Sequence, residues 1–196
     1  VPSSSSRLFY RRLAATPVSV SVSVSVKMAQ SALDEVTDSG AFDRSPSTFR
    51  SSISRDSSAR FPAVPGRYHL YVSYACPWAS RCLAYLKLKG LDAAIGFTSV
   101  KPIFGRTRES DDHLGWVFPA TGDEEPGAEP DPFNGAKTVR ELYEIASTNY
   151  TGKPTVPVSL DLGRNYLLLC FSIYFLLLHC FSIFYNCTST SIRLLD

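Results

Sequence analysis

A cysteine followed by a proline joins a predicted strand to a predicted helix, and this junction constrains the fold more than any other feature of the sequence. Residues 68–73 read Tyr-His-Leu-Tyr-Val-Ser, an aromatic and β-branched run that is typical of a strand. Cys76 and Pro77 come next, and Pro77 suits a first helical turn because its missing N–H would have no partner there. One apolar helical face follows at positions i, i+3, i+4 and i+7, formed by Ala79, Cys82, Leu83 and Leu86. The junction predicts a strand that leads into a helix, with Cys76 at the helix N-terminus.

Further strand and helix patterns follow this junction. Gly90 suits the end of the first helix. A second strand is predicted over 94–100, and a second helix over 137–149 after a long loop at 101–135 that is rich in Pro, Gly and Asp. A third strand is predicted to begin within 155–158. The alternation of strands and helices predicts an α/β fold.

Composition divides the chain into four stretches. Residues 1–33 carry Arg and Lys, no acid and a Ser-Val alternation, a pattern typical of an organelle transit peptide, although the alternation also fits a β-strand. Residues 34–65 are predicted to form an extended, solvated arm, and 66–158 carry the folded-domain patterns. Residues 159–196 form an apolar tail. A transit peptide would direct the protein to the chloroplast or another organelle, and without one we expect it in the cytoplasm.

Charge and cysteine content exclude several classes of function. Lys and Arg number 20 against 18 Asp and Glu, a balance too even for nucleic acid as the main partner. The five cysteines are too few and too unevenly placed for a disulfide-stapled mini-protein. The three histidines are scattered without metal-ligand spacing, so no metal is expected.

Cys76 is the strongest candidate for chemistry. The partial positive charge of a helix N-terminus favours the thiolate, which is the nucleophilic form, although a buried, inert thiol is the alternative. Ala79 stands where a Cys-x-x-Cys motif would have its second cysteine, and Cys82 faces another side of the helix and is assigned to the core. We therefore expect monothiol chemistry, in which an external thiol resolves the mixed disulfide.

The segment Thr155-Val156-Pro157 is the second candidate element. An X–Pro bond just before a strand is a candidate cis peptide. A turn there leaves the N–H and C=O of Val156 free to pair with a peptide-like ligand as an added strand. A trans proline at a strand edge is the alternative.

The motifs around these elements resemble the glutathionyl-hydroquinone reductases, the Xi-class, omega-like branch of the glutathione transferases. The resemblance covers about 40–158, and its most specific segments are Leu-Tyr-Val-Ser-Tyr-Ala-Cys-Pro-Trp-Ala-Ser-Arg at 70–81, Leu-Lys-Leu-Lys-Gly-Leu at 86–91, Gly-Trp-Val-Phe at 115–118 and Phe-Arg at 49–50. It implies the thioredoxin-like N-terminal domain of a glutathione transferase, incomplete after its third strand, with the helical C-terminal domain absent.

The resemblance also implies a reaction and a set of site residues. Glutathione is the implied co-substrate, without a metal, and a small glutathionylated aromatic compound is the implied substrate; the complete family form would allow a homodimer. Cys76 is implied as the nucleophile of reductive deglutathionylation, with Trp116 packing on glutathione. The loop that would bind the glutathione peptide consists of Lys153, Pro154, Thr155, Val156 and Pro157. Family members often have Arg at the position of Lys153, and Lys keeps the charge without the bidentate fork.

Other functions stay open on the sequence alone. An omega-like dehydroascorbate or glutaredoxin-type reductase would use the same cysteine, and a non-catalytic binding module would not use it. The uncharged run Tyr166–Tyr185 has about the length that spans a bilayer, so a membrane-attached product is a further alternative; translated non-coding sequence would also explain it. Because the family's next segment cannot be placed after Val158, the sequence predicts an enzyme impaired by truncation.

Overall fold

The computed structural model describes residues 35–41, 43, 49 and 51–169. The leader predicted over 1–33 and the tail from residue 170 onward lie outside the described residues. A short 3₁₀ helix, Leu91–Ala93, follows the first α-helix. The α-helices and strands are, in chain order, β1 (Tyr68–Val72), α1 (Pro77–Leu88), β2 (Gly96–Ser99), β3 (Gly105–Arg106), β4 (Leu114–Gly115), α2 (Val139–Ala146), β5 (Val158–Asp161) and β6 (Tyr166–Leu169).

A four-stranded mixed sheet carries the fold, with strand order β2-β1-β5-β6. Strand β1 pairs in parallel with β2 and antiparallel with β5, and β5 pairs antiparallel with β6. Two neighbouring parallel strands need a crossover connection, and α1 supplies it between β1 and β2. This arrangement confirms the predicted α/β, thioredoxin-like class.

Apolar burial on both faces explains the position of β1 at the centre of the sheet. All five of its residues are buried, as expected for a strand covered on two sides. Helix α1 packs on the sheet through Ala79, Cys82 and Leu86, which confirms the predicted helical face and the assignment of Cys82 to the core. Leu83 lies at the edge of that face and is only partly buried.

The sheet has one strand more than the sequence predicted. The sequence predicted a domain that is incomplete after its third strand, and the structure adds a fourth strand to the sheet, because Tyr166–Leu169 pair along the whole of β5. A turn at 162–165, in which Asn165 has a φ of 48°, connects the two strands. Leu167 and Leu168 are both fully buried, so β6 has no polar alternation and reads as part of a longer apolar run. Without β6, the backbone N–H and C=O groups along that edge of β5 would be unpaired.

The possible membrane span at 166–185 therefore begins inside a sheet, and its remaining residues lie outside the described part of the chain. Among the residues that the structure describes, no helix is both long and apolar enough to cross a bilayer.

The predicted arm is not solvated throughout. Phe49, Ile53 and Phe61 are buried in the core with exposed fractions of 4%, 5% and 3%. Phe49 lies among the rings of three tyrosines, at centroid distances of 5.5 Å to Tyr143, 5.5 Å to Tyr150 and 5.7 Å to Tyr166. The arm thus covers the contact between α2 and β6, an apolar surface that the sequence analysis did not predict.

Helix α2 is shorter than predicted because it is capped at both ends. The Thr138 hydroxyl accepts a hydrogen bond from the Glu141 N–H at 3.2 Å, and the Glu141 carboxylate accepts from the Lys137 N–H at 2.7 Å. At the other end Ser147 is extended, and Asn149 has a φ of 61°.

The loop expected over 101–135 contains the short two-stranded ribbon β3–β4, which the Pro- and Gly-rich composition did not indicate.

A buried polar group supports one face of β1. The Asp131 carboxylate accepts hydrogen bonds from the Tyr71 hydroxyl at 2.5 Å and, within its own loop, from the N–H groups of Phe133, Asn134 and Ala136. Burial raises the pKa of Tyr71, which stays protonated as the donor. Beside it, Nε2 of His69 lies 2.8 Å from the Thr98 hydroxyl oxygen.

We expect His69 to make the fold sensitive to mild acid. Burial lowers the pKa of His69 to about 4, although the charge of Asp131 opposes this. The unfolded chain binds the proton first, so stability falls as the pH drops from about 6.5 to about 4, by about 3 kcal/mol in all. The free energy of unfolding in urea should therefore fall more between pH 7 and pH 4.5 for the unsubstituted chain than for His69→Gln. An equal fall in both would contradict this role.

Leu168→Ala tests whether β6 belongs to the folded unit. Leu168 is fully buried, so its truncation should lower the free energy of unfolding by about 3 kcal/mol. Leu88→Ala is the matched control, because the Leu88 side chain at the end of α1 is 77% exposed and its loss should cost less than about 0.5 kcal/mol. Similar small costs for both variants would show that β6 contributes nothing to the stability of the sheet.

Candidate active site

Cys76 occupies the N-cap of α1, directly after the turn that leaves β1. Its backbone is extended, with φ −94° and ψ 114°, and Pro77 begins the helix as predicted. The Cys76 N–H donates to the Ser73 carbonyl at 3.0 Å, and the Cys76 carbonyl accepts from the Ser80 N–H at 3.0 Å. The first turn of α1 contains no acidic residue, so no carboxylate there offsets the partial positive charge of the helix N-terminus. The thiol is largely buried, with Cys76 9% exposed.

The Val156 carbonyl lies beside this thiol. The Cys76 Sγ donates to the Val156 oxygen at 3.4 Å. The peptide bond between Val156 and Pro157 is cis, which confirms that part of the sequence prediction. The Val156 carbonyl was expected to be free for a ligand, and it already accepts from the thiol here. A carbonyl oxygen has two lone pairs and can accept a second hydrogen bond.

The loop that precedes Val156 is held by the tyrosines of α2 and its following turn. The Tyr143 hydroxyl donates to the Thr155 carbonyl at 3.0 Å, and the Tyr150 hydroxyl donates to the Lys153 carbonyl at 3.3 Å. Pro154 lies between these two anchored carbonyls and is buried. The sequence-predicted loop is therefore a fixed structure that leads directly to the thiol.

Lys153 forms an ion pair that the sequence did not predict. Its Nζ lies 2.5 Å from an oxygen of Glu35, and the exposed fractions of the two side chains are 18% and 6%. The two residues are 118 positions apart, so no local pattern could have indicated the contact. The Glu35 carboxylate of the arm thus pairs with the Lys153 ammonium group, which the sequence analysis assigned to a ligand.

Trp116 lies on a different element, directly after β4. Its carbonyl accepts a hydrogen bond from the N–H of Val139, the first residue of α2, at 3.0 Å. Its ring packs edge-on against Phe104 with 4.5 Å between centroids, and the side chain is only partly buried. The structure brings Cys76 and Val156 into contact, whereas Trp116 is connected to the 153–156 loop through α2.

The arrangement suits a thiol nucleophile. A thiol at a helix N-terminus, next to an extended backbone segment, can attack a sulfur atom of a peptide ligand that pairs with that segment. Within residues 35–41, 43, 49 and 51–169, no three His, Cys, Asp or Glu side chains come together as metal ligands.

Several proteins of known name are similar to this chain in sequence. No protein-family model matches the chain. Glutathionyl-hydroquinone reductase PcpF of Sphingobium chlorophenolicum is 37% identical over 128 residues, which cover 65% of this chain and 36% of that protein. Glutathione S-transferase omega-like 2 of Schizosaccharomyces pombe is 40% identical over 126 residues, covering 64% and 36%. The chain therefore spans little more than a third of the length of the curated relatives it matches.

Solved structures agree with this match. The glutathione-S-transferase Xi from Phanerochaete chrysosporium is 42% identical with a TM-score of 0.55, covering 65% of this chain and 39% of that one. The glutathione-bound structure of YqjG from Escherichia coli is 31% identical with a TM-score of 0.59, covering 74% and 46%. Over about two thirds of its length, the chain is thus similar to the N-terminal part of the glutathionyl-hydroquinone reductases and Xi-class glutathione transferases, as its Cys-Pro-Trp-Ala and Gly-Trp motifs predicted.

Proposed function

We propose that this chain is the glutathione-binding part of a glutathione-dependent thiol transferase that removes glutathione from glutathionyl-hydroquinones. The observation that carries the proposal is the position of the Cys76 thiol, at the N-cap of α1 and 3.4 Å from the Val156 carbonyl. The similarity to a glutathione-bound structure supports glutathione as the co-substrate.

Each step of the reaction can be assigned to atoms. The Cys76 thiolate attacks the sulfur of the glutathionyl-hydroquinone, so an S–S bond forms and the bond from sulfur to the aromatic ring breaks. The electron pair of the broken bond stays on the ring carbon, which takes up a proton, and the hydroquinone leaves. The thiolate of a second glutathione then attacks the mixed disulfide, which releases oxidised glutathione and restores Cys76.

The surroundings of Cys76 support an external resolving thiol. Ala79 occupies the next turn of the helix, where a resolving cysteine would stand, and it is fully buried. Cys82 is buried in the core, 4% exposed, on the face of α1 that packs on the sheet. Within the part of the chain that the structure describes, no second thiol is placed to resolve the mixed disulfide at Cys76, so we assign this step to a thiol from solution.

The remaining site residues have distinct roles in this proposal. The backbone of Val156 pairs with the peptide of glutathione as an added strand, and Trp116 packs against it. Lys153 pairs with a glutathione carboxylate, which then competes with Glu35 for the same ammonium group. Pro154, Thr155 and Pro157 fix the course of the loop on either side of Val156.

A second candidate reaction uses the same thiol. The alternative is an omega-like dehydroascorbate or glutaredoxin-type reductase, and the S. pombe relative carries an omega-like name. Competition separates the two: with glutathione in excess, a glutathionyl-hydroquinone should inhibit dehydroascorbate reduction if both bind at Cys76. The better substrate is the one with the higher kcat/KM.

Cys76→Ala should abolish the reaction, because no other thiol in the described residues lies at a helix N-terminus. With glutathionyl-menadiol and glutathione, the release of oxidised glutathione should fall by at least about 100-fold. Mass spectrometry of the intact chain should show one glutathione fewer on Cys76→Ala than on the unsubstituted protein. Cys82→Ala, checked for folding by circular dichroism, should still acquire the adduct. A Cys76→Ala chain that keeps its rate would refute the mechanism.

Glu35→Gln should strengthen glutathione binding, because it removes the carboxylate that holds the Lys153 ammonium at 2.5 Å. We expect the dissociation constant to fall by about three- to tenfold, measured by calorimetry at low ionic strength. Asp38→Asn is the matched control, since it removes the same charge from an exposed position of the same arm. An equal effect of both substitutions would indicate a change in overall charge and not competition at Lys153.

A further inference from the structure

A buried arginine of α2 holds the ribbon β3–β4 in place. Nη1 of Arg140 donates to both oxygens of Asp111, at 3.0 and 2.7 Å, and to the Thr107 hydroxyl at 3.2 Å. Its Nε donates to Glu144 at 3.2 Å, and Glu144 also pairs with Arg108 at 2.5 Å. The side chains of Arg140 and Asp111 are only 4% and 9% exposed, so the ion pair between them is shielded from solvent. Three of the residues bound in this cluster, at 107, 108 and 111, belong to the segment that connects β3 to β4.

The ribbon needs such an anchor. Its two strands pair over two residues each, and an isolated two-stranded ribbon of this size is not stable in water. The Thr107 hydroxyl that Arg140 reaches is also 2.7 Å from Nδ1 of His113. The side chains of Thr107 and His113 approach Gly115 so closely that a Cβ there would lie 3.2 and 3.0 Å from them. The polar cluster and the close packing at Gly115 together determine the course of β4.

Trp116 directly follows Gly115, and α2 holds it from a second side. The Val139 N–H donates to the Trp116 carbonyl, and Phe118 and Lys137 are joined by a further backbone hydrogen bond of 2.9 Å. Val139 and Arg140 are consecutive residues of α2. The backbone of this turn therefore holds Trp116, and its Arg140 side chain holds the connection between β3 and β4.

The charge balance of the cluster depends on Arg140. Burial is the largest influence on Asp111 and would raise its pKa, but the hydrogen bonds from Arg140 and from the His113 N–H, together with the charge of Arg140, lower that pKa overall. The carboxylate is therefore charged at neutral pH. Without the guanidinium, a buried carboxylate would lose its cation, and the connection from 107 to 113 would have to move to bring it to solvent.

We propose that Arg140 is a positioning residue that sets the place of the Trp116 ring, and through it the affinity for glutathione. The second half of this proposal rests on the proposed function, because Trp116 is the aromatic surface assigned to glutathione there. Cys76 is held by β1 and α1, so the reactivity of the thiol does not depend on the cluster.

The experiment compares Arg140→Gln with a matched control on the same ribbon. Arg106→Gln breaks the pair between Arg106 and Asp112, whose side chains are 57% and 93% exposed. Both substitutions are made in a Trp78→Phe background, so that Trp116 is the sole tryptophan of the two in the sequence. The readouts are Trp116 emission without ligand, glutathione affinity by titration, and the rate at which iodoacetamide alkylates Cys76.

We expect Arg140→Gln to shift Trp116 emission and to weaken glutathione binding roughly tenfold, with Cys76 alkylation unchanged within about twofold. Arg106→Gln should change none of the three, and Arg140→Lys should restore part of the affinity because it returns the cation. Unchanged emission and affinity in a folded Arg140→Gln chain would overturn the proposal. So would a parallel change in alkylation, which would indicate a general loss of structure.

Two further outcomes are informative. A shift in emission without a loss of affinity supports the positioning of Trp116 and refutes its assigned contact with glutathione, so the two proposals fail separately. Where Arg140→Gln does not fold, Arg140→Gln with Asp111→Asn removes both buried charges. That double variant should fold with shifted Trp116 emission, and unshifted emission would overturn the role of Arg140.

Discussion

The pairing of β1 with β5 is the constraint on which the rest of the structure depends. The two strands are antiparallel, with Tyr71 opposite Val158, so the end of β1 lies beside the start of β5. The residues just beyond β1 and just before β5 are therefore forced together, although Cys76 and Val156 are 80 positions apart in the sequence. All five residues of β1 are packed, so a shift by one residue would exchange the side chains that fill the two faces of the sheet, and close packing disfavours this.

Helix α2 connects the parts of the candidate site that the sheet does not reach. Tyr143 of its last turn holds the loop before Val156, and its first two residues bind the ribbon that carries Trp116. A helix of eight residues is too short to be stable alone, so α2 depends on the arm, on β6 and on its caps. Cys76 is fixed by the sheet and α1, whereas the groups that we propose to bind the ligand are fixed by α2.

Local chemistry made some of this structure predictable and long-range contacts concealed the rest. The position of Cys76 and the buried face of α1 follow from residues that are close in the sequence, and the sequence predicted both. It also gave the Val156–Pro157 bond as a candidate cis peptide, with trans as the alternative, and the bond is cis. Strand β6 was missed because burial on both faces removed the polar alternation that identifies a strand. Glu35 and the Arg140 cluster were missed because their partners are 118 and 29 to 33 positions away.

The central position of β1 has a consequence for the order in which the chain folds. Strand β1, α1 and β2 are complete by residue 99, yet the other edge of β1 has no partner until residues 158–161 exist. During synthesis, the backbone N–H and C=O groups along this edge of β1 therefore stay unpaired while about sixty further residues are added, at roughly 5–20 residues per second. Contacts of such high sequence separation slow folding, because a long loop must close before they form. The thiol and the Val156 carbonyl can meet only at the end of this process, so the partly made domain presents the Cys76 thiol without the backbone segment that accepts its hydrogen bond.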